Sequence, residues 1–453
     1  MTRRLIISYS YRPLAGPRAF RWSALAEHWA ANGVHVDVIT APKPGLLLEE
    51  TVAGVQVHRV GGTLVDRLRS QLKKSDPYVD KRLEQAAAGE SSSSGANPQS
   101  LIARAASILH HGIWKHVWWP DSSCLWQLAV MRRAKQLLAR NRYDAIVTSS
   151  PSFSAHLAGY RLKKSHPGTT WLVDIGDPFC FAEDAVPNNR RLYGKWNFTF
   201  ERRVFRRADS VSVTTQQTAD QYAAFFPESA GRINVVPPLV PEAPASDGTR
   251  EVFPDDSRIR LVYAGSLYRH IRRPEFLLGL FRRLLDTPLR DRLELHFFGN
   301  TENCRESFLP YADLLDNRIF VHGLVDRDRA LRALWEGDVL VNISNRNRYQ
   351  LPSKVVEYAG TGQPIINIAQ IENDSSAAMF ADYPSALCLL DGGEGPGADQ
   401  VEQVASFLSD LPAPLDRSIV ESWTAPFKID AIAERYEALL AGPSSRPSAD
   451  PAQ

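Results

Sequence analysis

The stretch Gln350–Ile368, QLPSKVVEYAGTGQPIINI, predicts a loop, a short helix and a buried strand in that order. Ser353 follows a proline and is a residue type that caps helices, so we expect the helix to run over Lys354–Ala359. Gly360 then ends the helix, and Ile365–Ile368 is apolar enough for a buried strand.

This stretch fits a phosphate site as well as it fits an ordinary part of an α/β sheet. The first turn of a helix presents free N–H groups and the positive end of its dipole, which suits a phosphate. Lys354 adds a charge there, and Glu357 lies one turn further along, where it can accept hydrogen bonds from two sugar hydroxyls. The local pattern alone does not separate the two interpretations.

The bulk composition predicts a two-domain protein of the cytosol. A chain of 453 residues is too long for one ordinary core, and 44% apolar with 23% charged residues is typical of a globular protein. Four scattered cysteines lack metal-ligand or disulfide spacing. The N-terminal apolar run is short, so we interpret it as a strand and not as a signal peptide, and no run approaches the roughly 20 apolar residues that span a bilayer.

The net charge of +2 conceals two halves of opposite sign. Residues 1–240 hold 31 basic and 19 acidic side chains, which gives +12, and the remainder carries −10. This asymmetry indicates that the first half faces a polyanion or an anionic membrane, unless the charges are only solvated surface.

The first half opens like a nucleotide-binding fold. The predicted strand Arg4–Tyr9 leads through a loop containing Gly16 into the helix Arg18–Ala31, and the strand His35–Thr40 follows. Ligands of such sheets bind at the carboxyl ends of the strands, although a single glycine is a weak phosphate signal.

An irregular, serine-containing insertion at about 62–100 precedes the tryptophan-rich segment Leu101–Pro120. This segment is either an amphipathic helix in a membrane interface or a helix whose aromatic side chains fill the core. Its histidines lack acidic or cysteine partners nearby, so we expect no metal site there.

Two further features of the first half bear on a site. The predicted strand Trp171–Ile175 ends at Gly176-Asp177, where Asp177 either contributes to catalysis or caps a turn. The spacing of its aspartates is not the D-x-D of metal-dependent sugar transferases. The helix predicted over Trp196–Arg207 is basic, and its arginines fit a solvated face better than a binding stripe.

A proline-rich linker places a domain boundary near residue 240. Beyond it, the strand Arg260–Ala264 enters Gly265-Ser266 and restarts the strand–loop–helix pattern. Arg269 and Arg272 follow in a cluster that suits a diphosphate, or else they are surface arginines.

The predicted strands of the second half end in similar residues. Gly299 follows one predicted strand, and Gly323 and Leu324 end the next. Because parallel strands present their carboxyl ends along one edge, we expect a ligand edge there. The predicted domains are 1–240, with the insertion 62–100; 241–423; a C-terminal helix at 424–441 that crosses back to the first domain; and a disordered tail at 442–453.

Several motifs together resemble the GT-B glycosyltransferases of retaining family 4, the group-1 glycosyl transferases. In the second half they are YAGSLYR, FFGN, VHGLV, DVLVNIS and LPSKVVEYAGTGQPII. The opening YRPLAGPRAFRWSALAEHWAANGVHVDVIT is similar to the opening of that family, and WWPD and YDAIVTSSPSF resemble members that build bacterial surface polysaccharides. The resemblance implies an α/β fold of GT-B architecture, in which two Rossmann-like domains with parallel sheets face a central cleft.

The resemblance also implies roles for individual residues. Glu357 matches the second glutamate of an E-x7-E signature, which binds the nucleotide ribose, whereas Gln350 stands in place of the first, near the donor sugar. Ser266 stands where an arginine usually grips the diphosphate, and Gly176 where a histidine precedes the aspartate. The implied catalytic residues are Asp177, Arg272 and Lys354, and those implied to bind the donor are Gly16, Gly265, Ser266, Arg269, Gly299, Gly323, Leu324, Gln350, Ser353 and Glu357.

The expected activity is transfer of a sugar, with retention of configuration, from a nucleotide-diphosphate donor to a lipid-linked or surface-polysaccharide glycan. We expect a hexosyltransferase that uses no metal and no cofactor besides its donor, located in the cytoplasm or peripherally at the inner face of the cell membrane. The alternatives are a nucleotide-sugar 2-epimerase and an inactive GT-B scaffold in a polysaccharide assembly complex. The acidic half argues against binding nucleic acid.

Overall fold

A computed structural model describes residues 2–13, 16–43, 45–61, 118–182, 187–244, 250–347 and 349–441. The predicted insertion, the C-terminal tail and most of Leu101–Pro120 lie outside these ranges. The model divides into two compact units. The first unit comprises the described residues of Met1–Ser212, Ala223–Asn234 and Glu437–Gln453, and the second comprises those of Val213–Tyr222 and Val235–Tyr436.

The first sheet has eight strands in the described residues, in the order β3-β4-β2-β1-β5-β6-β7-β8. The strands are β1 Arg3–Ser8, β2 His35–Thr40, β3 Glu49–Val52, β4 Val55–Arg59, β5 Ala145–Ser149, β6 Thr170–Asp174, β7 Ser210–Val213 and β8 Ile233–Val235. Its helices are α1 Pro17–Ala31, α2 Trp126–Arg140, α3 Phe153–Ser165 and α4 Arg190–Arg207. The next helix, α5 Gln216–Phe225, follows β7 and lies mostly in the second unit.

The strands β4, β2, β1, β5, β6 and β7 of this sheet run parallel to one another, whereas β3 pairs antiparallel with β4. The sequence interpretation missed β3, a short polar edge strand that forms a hairpin with β4. Ala53 and Gly54 make its two-residue turn with φ of 48° and 82°, the positive values that such turns require.

The second sheet has six parallel strands in the described residues, in the order β11-β10-β9-β12-β13-β14. They are β9 Ile259–Ala264, β10 Leu293–Phe298, β11 Ile319–Gly323, β12 Val339–Ile343, β13 Ile365–Ala369 and β14 Ala386–Leu390. Its helices are α6 Glu275–Leu284, α7 Arg305–Phe308, α8 Arg327–Glu336, α9 Lys354–Ala359, α10 Ser375–Phe380, α11 Ala398–Ser409, α12 Arg417–Thr424 and α13 Ile429–Leu440.

Within this unit the strand order is 3-2-1-4-5-6, which is the order of a dinucleotide-binding sheet. The prediction of two Rossmann-like sheets is therefore confirmed. The apolar strands fit this placement, because both faces of a parallel sheet are covered by helices.

The C-terminal region differs from the single helix that the sequence suggested. Pro426 interrupts it, and a short 3₁₀ turn at Ala425–Phe427 separates α12 from α13. The end of α13 packs on the first sheet: Arg4 forms an ion pair with Glu437, and Ser210 Oγ donates to Leu439 O at 3.1 Å.

Asp174 ties the elements of the first sheet together at its carboxyl edge. Its buried carboxylate accepts hydrogen bonds from Arg18 at 2.8 Å, from Trp22 Nε1 at 2.9 Å and from Ser212 Oγ at 2.8 Å. The guanidinium groups of Arg18 and Arg21 outweigh desolvation and lower its pKa to about 2.

Asp174→Asn is expected to destabilise the first unit by about 3–5 kcal/mol, because two guanidinium groups then lose their buried carboxylate. The stabilisation from Asp174 is complete above its unfolded pKa of about 3.9 and is lost as the pH falls through about 2. Urea unfolding at several pH values measures both effects. The exposed Asp144, whose carboxylate accepts from Arg3 N, supplies the control Asp144→Asn. Equal losses in the two variants would contradict the role of Asp174.

Candidate active site

The second sheet opens between β9 and β12. These strands pair only at Val339 with Leu261 and Leu340 with Val262, and then separate. Past that point the hydroxyl of Tyr358, on α9, accepts from Ala264 N at 2.9 Å and donates to Ala264 O at 3.2 Å. This is the point where the strand order reverses, and ligands of such sheets bind in the crevice outside the strand ends there.

Glycines surround this crevice at the ends of three neighbouring strands. Gly265, Gly299 and Gly323 all have positive φ, and Gly265 N donates to Phe298 O, while Gly299 N donates to Gly323 O. A Cβ on Gly299 would lie 2.5 Å from Gly265 O, so the two chain segments pass too close for any side chain there.

Lys354 lies over Gly265 inside the crevice. A Cβ on Gly265 would lie 2.3 Å from Lys354 Nζ, so the missing side chain makes the space for the lysine. Nζ donates to Tyr263 Oη at 3.0 Å and lies 4.1 Å from the centre of that ring. Burial, together with the charge of Arg272, lowers the pKa of Lys354 well below its ordinary value, against the opposing effect of Glu357.

Arg272 reaches the same crevice from the loop after β9. Its Nε donates to Asn345 Oδ1 at 2.6 Å, and its Nη1 donates to Ser266 O at 3.4 Å. Tyr268 and Arg272 bond to each other through their backbones, and Ile271 O accepts from Gln370 Nε2 at 2.9 Å, so the loop is held on the β12–β13 side.

Glu357 lies on the other flank, towards β11. Arg327, the first residue of α8, approaches its carboxylate at 3.6 Å. Burial raises the pKa of Glu357, and the nearby charges of Arg327 and Lys354 counteract that rise. Leu324, at the end of β11, is 78% exposed.

The local prediction for Gln350–Ile368 holds for its elements but not for its cap. The helix covers Lys354–Ala359 as predicted, and the strand extends to Ala369. Ser353 occupies the N-cap position without a side-chain hydrogen bond, and Val355 N donates to Pro352 O. A helix of six residues has a weak dipole, so Lys354 and Arg272 are the main positive charges of the crevice.

The structure brings most of the predicted donor residues to one edge, but not all of them. The predicted residues that line the crevice are Gly265, Ser266, Arg272, Gly299, Gly323, Lys354 and Glu357. Gln350 is linked to them by Asn345, whose Nδ2 donates to Gln350 Oε1 at 3.1 Å. Arg269 instead forms an exposed ion pair with Glu306 at 2.5 Å. Gly16 and Asp177 belong to the first unit.

Sequence reasoning did not single out Tyr263, Tyr358, Asn345 or Arg327. In the sequence, the two tyrosines cannot be told from ordinary core tyrosines. Asn345 lies in a polar loop, and no spacing pattern in that loop indicates which of its residues contacts another segment. Arg327 follows a helix cap and gives no signal of its contact with Glu357.

The first unit has a second ordered edge, around the loop that carries Asp177. Glu201 on α4, which is buried, accepts from Phe179 N at 3.3 Å and from Cys180 N at 2.8 Å. Gly176 N donates to Ser150 Oγ at 2.9 Å, and a Cβ on Gly176 would lie 2.6 Å from Arg18 Nε. Arg18 therefore fills the space in which a histidine side chain would begin, which explains the glycine before Asp177.

The WWPD and SSPSFS motifs, separate in sequence, meet in this unit. The buried carboxylate of Asp121 accepts from Ser154 N at 2.8 Å and from Ser154 Oγ at 2.9 Å, so it fixes the start of α3. Of the tryptophan-rich segment, only Trp118, Trp119 and Pro120 are described, and Trp119 packs on α4 through Trp196 and Phe200.

Comparison with solved structures identifies proteins of similar architecture. WaaG, a glycosyltransferase involved in lipopolysaccharide biosynthesis, aligns with a TM-score of 0.57 and 14% identity over 97% of this chain and all of its own. The α,α-trehalose 6-phosphate synthase of Burkholderia multivorans aligns with a TM-score of 0.59 and 13% identity over 97% and 98% of the two chains. HepE of Anabaena, solved with UDP-glucose, gives 0.54 and 11% over 97% and 100%. The chain has the GT-B fold.

The sequence comparison agrees with the GT-B assignment for part of the chain. A glycosyl transferase 4-like domain matches residues 95–238, about a third of the length. The structural neighbours are too distant in sequence to show more than the fold. Comparison with curated proteins gave no match.

Among the described residues, no three His, Cys, Asp or Glu side chains gather into a group that would hold a metal ion. Nor does any helix in the same ranges combine the length and apolarity needed to cross a membrane.

Lys354→Met is expected to leave the ligand-free GT-B protein at least as stable as the wild type at neutral pH, because it removes a desolvated charge from the crevice. The lowered pKa means that the unfolded chain binds the extra proton, so the wild type gains stability as the pH rises towards about 10.4, and the variant lacks this gain. Urea unfolding from neutral to alkaline pH measures the difference. The exposed Lys428 supplies the control Lys428→Met. A clear loss of stability in Lys354→Met alone would contradict the interpretation.

Proposed function

We propose that the protein is a metal-independent glycosyltransferase that transfers a sugar from a nucleotide-diphosphate donor with retention of configuration. The observation that carries this proposal is the crevice of the second unit, where a buried lysine and an arginine lie above close-packed glycines. Such a site accepts a diphosphate, because no side chain of the glycines stands in the way and both cations are held in place.

The two cations suit the departure of a nucleoside diphosphate. Negative charge develops on the diphosphate as the bond to the sugar breaks, and Lys354 and Arg272 would neutralise it. Lys354 is desolvated before the donor arrives, so its interaction with the diphosphate does not require further removal of its water. The donor would also restore the pKa of Lys354 towards its ordinary value.

The two flanks of the crevice would bind the two ends of the donor. Glu357 accepts the ribose hydroxyls on the β11 side, where Arg327 now neutralises it. The sugar then lies on the β12–β13 side, near Asn345 and Gln350.

Nucleoside diphosphates should raise the melting temperature of the protein, since a ligand at one hundred times its Kd adds about 2.7 kcal/mol to the free energy of unfolding. We suggest a thermal-shift screen with UDP, GDP, ADP and their sugars. Lys354→Met should weaken binding by about 1.5–3 kcal/mol through the lost charged contact.

Glu357→Gln should weaken binding of the nucleotide but not of inorganic pyrophosphate, whereas the exposed Glu372→Gln serves as its matched control. Absence of stabilisation by every nucleotide tested would rule out the proposal. Sugar product formed without an acceptor would instead indicate an epimerase, and binding without turnover would indicate an inactive scaffold.

We further propose that the acceptor is a lipid-linked glycan and that α4 contacts an anionic membrane at the inner face of the cell membrane. This helix carries seven basic side chains and one acidic side chain, Glu201, which is buried beneath it. Leu192 and Trp196 are 62% and 56% exposed one turn apart, on a helix that also carries the exposed Lys195 and Arg203. Exposed apolar side chains ringed by cations are typical of helices that lie in a membrane interface.

Lys195→Glu combined with Arg203→Glu should reduce binding to phosphatidylglycerol-containing vesicles at least fivefold, since each basic residue near such a surface contributes about 1 kcal/mol. Vesicle sedimentation measures the effect, and phosphatidylcholine vesicles should bind weakly. Arg132→Glu, on the exposed side of α2, is the control for net charge. Equal losses in the control and the double variant would remove α4 from the contact.

A further inference from the structure

A cavity of about 490 Å³ lies at the amino-terminal edge of the second sheet, opposite the edge that forms the donor crevice. Two of its lining residues, Asp338 and Gln363, come just before β12 and β13. The five residues of β12 span about 16 Å at roughly 3.3 Å per residue, so the length of a strand separates the cavity from the crevice. Cavities of this size are typical of ligand sites, and the proposed transfer reaction uses none of these residues.

Trp335, in the last turn of α8, is the aromatic residue in the lining of this cavity. It is 37% exposed, and its indole N–H has no hydrogen-bond partner in the described part of the chain. Pro244, Pro412 and Pro414 line the same cavity with rings that fix the backbone. An exposed indole offers a flat apolar face together with a polar N–H, so it suits a ligand that is partly apolar and partly polar.

The cavity also contains two hydrogen-bond acceptors. Gln363 Nε2 donates to Trp335 O at 3.0 Å. A carbonyl oxygen cannot donate, so the amide turns its nitrogen to Trp335 and leaves Oε1 as an acceptor that no described residue uses. Asp338 Oδ2 accepts from Arg260 N at 2.8 Å, and Asp338 Oδ1 has no donor within the described ranges. A ligand can therefore donate hydrogen bonds here.

Two arginines supply donors to the same cavity. Arg332 Nη1 donates to Glu251 Oε1 at 2.7 Å, which leaves Nε and Nη2 of Arg332 without an acceptor among the described residues. Arg250 donates to Glu336 O through Nη2, and its buried Nε has no partner in the ranges that the structure describes. The cavity thus combines unused donors with unused acceptors around one aromatic ring.

The walls of the cavity are held in place by the protein itself. The carboxylate of Glu336, at the end of α8, accepts from the backbone N–H groups of residues 251–253 at 2.8–2.9 Å. Leu415 N donates to Gly362 O at 2.8 Å, which holds the end of the proline-containing segment beside the start of β13. Because these walls need no further ordering when a ligand arrives, binding costs less conformational entropy.

The charges and the hydrogen-bonding groups together favour a neutral sugar. The two arginines are balanced by two carboxylates, those of Glu336 and Asp338, which backbone N–H groups hold in the lining, so an anion gains little. An apolar ligand would leave donors and acceptors unpaired. A proline-rich peptide supplies carbonyl acceptors but few N–H donors. A sugar ring meets each requirement, because every hydroxyl both donates and accepts while the C–H face is apolar.

We propose that this cavity is a saccharide-binding site, in which a neutral pyranose unit stacks on Trp335 and exchanges hydrogen bonds with Gln363, Asp338 and the two arginines. The sugar unit belongs to the acceptor glycan, so the glycan chain is bound at a point away from the transfer reaction. That role rests on the proposed function, whereas the binding of a sugar at Trp335 does not.

Saturation-transfer NMR with maltose, cellobiose, lactose and N,N′-diacetylchitobiose tests the proposal on the full-length protein. At least one of these neutral disaccharides should bind. Trp335→Ala should weaken that binding about tenfold or more, because the ring contact is lost, whereas Trp335→Phe should retain most of the affinity. Arg332→Met should weaken it severalfold, since the sugar hydroxyls then lose donors.

Leu309→Ala is the matched control, because it removes a side chain that is 66% exposed in the same unit but outside the cavity. This variant should bind the disaccharide as wild type does. UDP should not compete with the disaccharide, because the donor crevice lies at the other edge of the sheet. Equal melting temperatures of the variants establish that they are folded.

Binding of no disaccharide, equal binding by Trp335→Ala and wild type, or competition by UDP would overturn the proposal. Binding of inorganic phosphate, uridine or an oligoproline peptide at Trp335 in place of a sugar would also overturn it, by assigning the cavity to another class of ligand. Nucleotide binding without sugar binding would overturn this proposal alone. Sugar binding without stabilisation by any nucleotide would instead overturn the proposed function and leave the saccharide site in place.

Discussion

The separation of β9 from β12 is the constraint on which the second unit depends. Two parallel strands that part leave backbone groups without a partner, and a buried unpaired N–H is costly. Tyr358 removes that cost by bonding to both backbone groups of Ala264. The opening can then persist without a ligand, and the bridging hydroxyl belongs to α9, the helix that also carries Lys354 and Glu357.

The crevice stores an electrostatic cost that a diphosphate would relieve. Lys354 is buried, and desolvation is the main cause of its lowered pKa; the charge of Arg272 is a smaller cause in the same direction. Tyr263 compensates partly, through its hydroxyl and the face of its ring. A group that is poorly stabilised in the free protein gains most when an anion arrives, which is a recurrent arrangement in active sites.

The carboxyl edge of the first sheet differs from that of the second in how its buried charge is paired. Asp174 gathers donors from β5, β7 and α1, so the charge there is satisfied inside the protein and not kept for a ligand. The adjacent loop with Asp177 is held from below by Glu201, whose helix carries exposed basic and aromatic side chains on another face. One helix thus supports the loop and offers the surface proposed to contact the membrane.

The sequence by itself determined the two sheets, because runs of buried strand separated by amphipathic helices have few other ways to exclude water. It also determined the glycines at the strand ends and the short helix Lys354–Ala359, whose start and stop are local properties of the chain. Prediction from the sequence missed β3 and the break at Pro426, where the local signal was weak. It also wrongly assigned the Ser353 hydroxyl as a helix cap, because the first turn uses the backbone oxygen of Pro352 instead.

Only the tertiary structure decided which side chains act on one another. The partnership of Arg272 with Asn345 and Gln350 joins two loops that are about seventy residues apart in sequence, and no spacing rule announces it. The same holds for Gly176, whose lack of a side chain is explained by Arg18 from a helix far earlier in the chain. Local sequence sets backbone geometry, whereas charge, burial and hydrogen-bond direction depend on neighbours that only folding brings together.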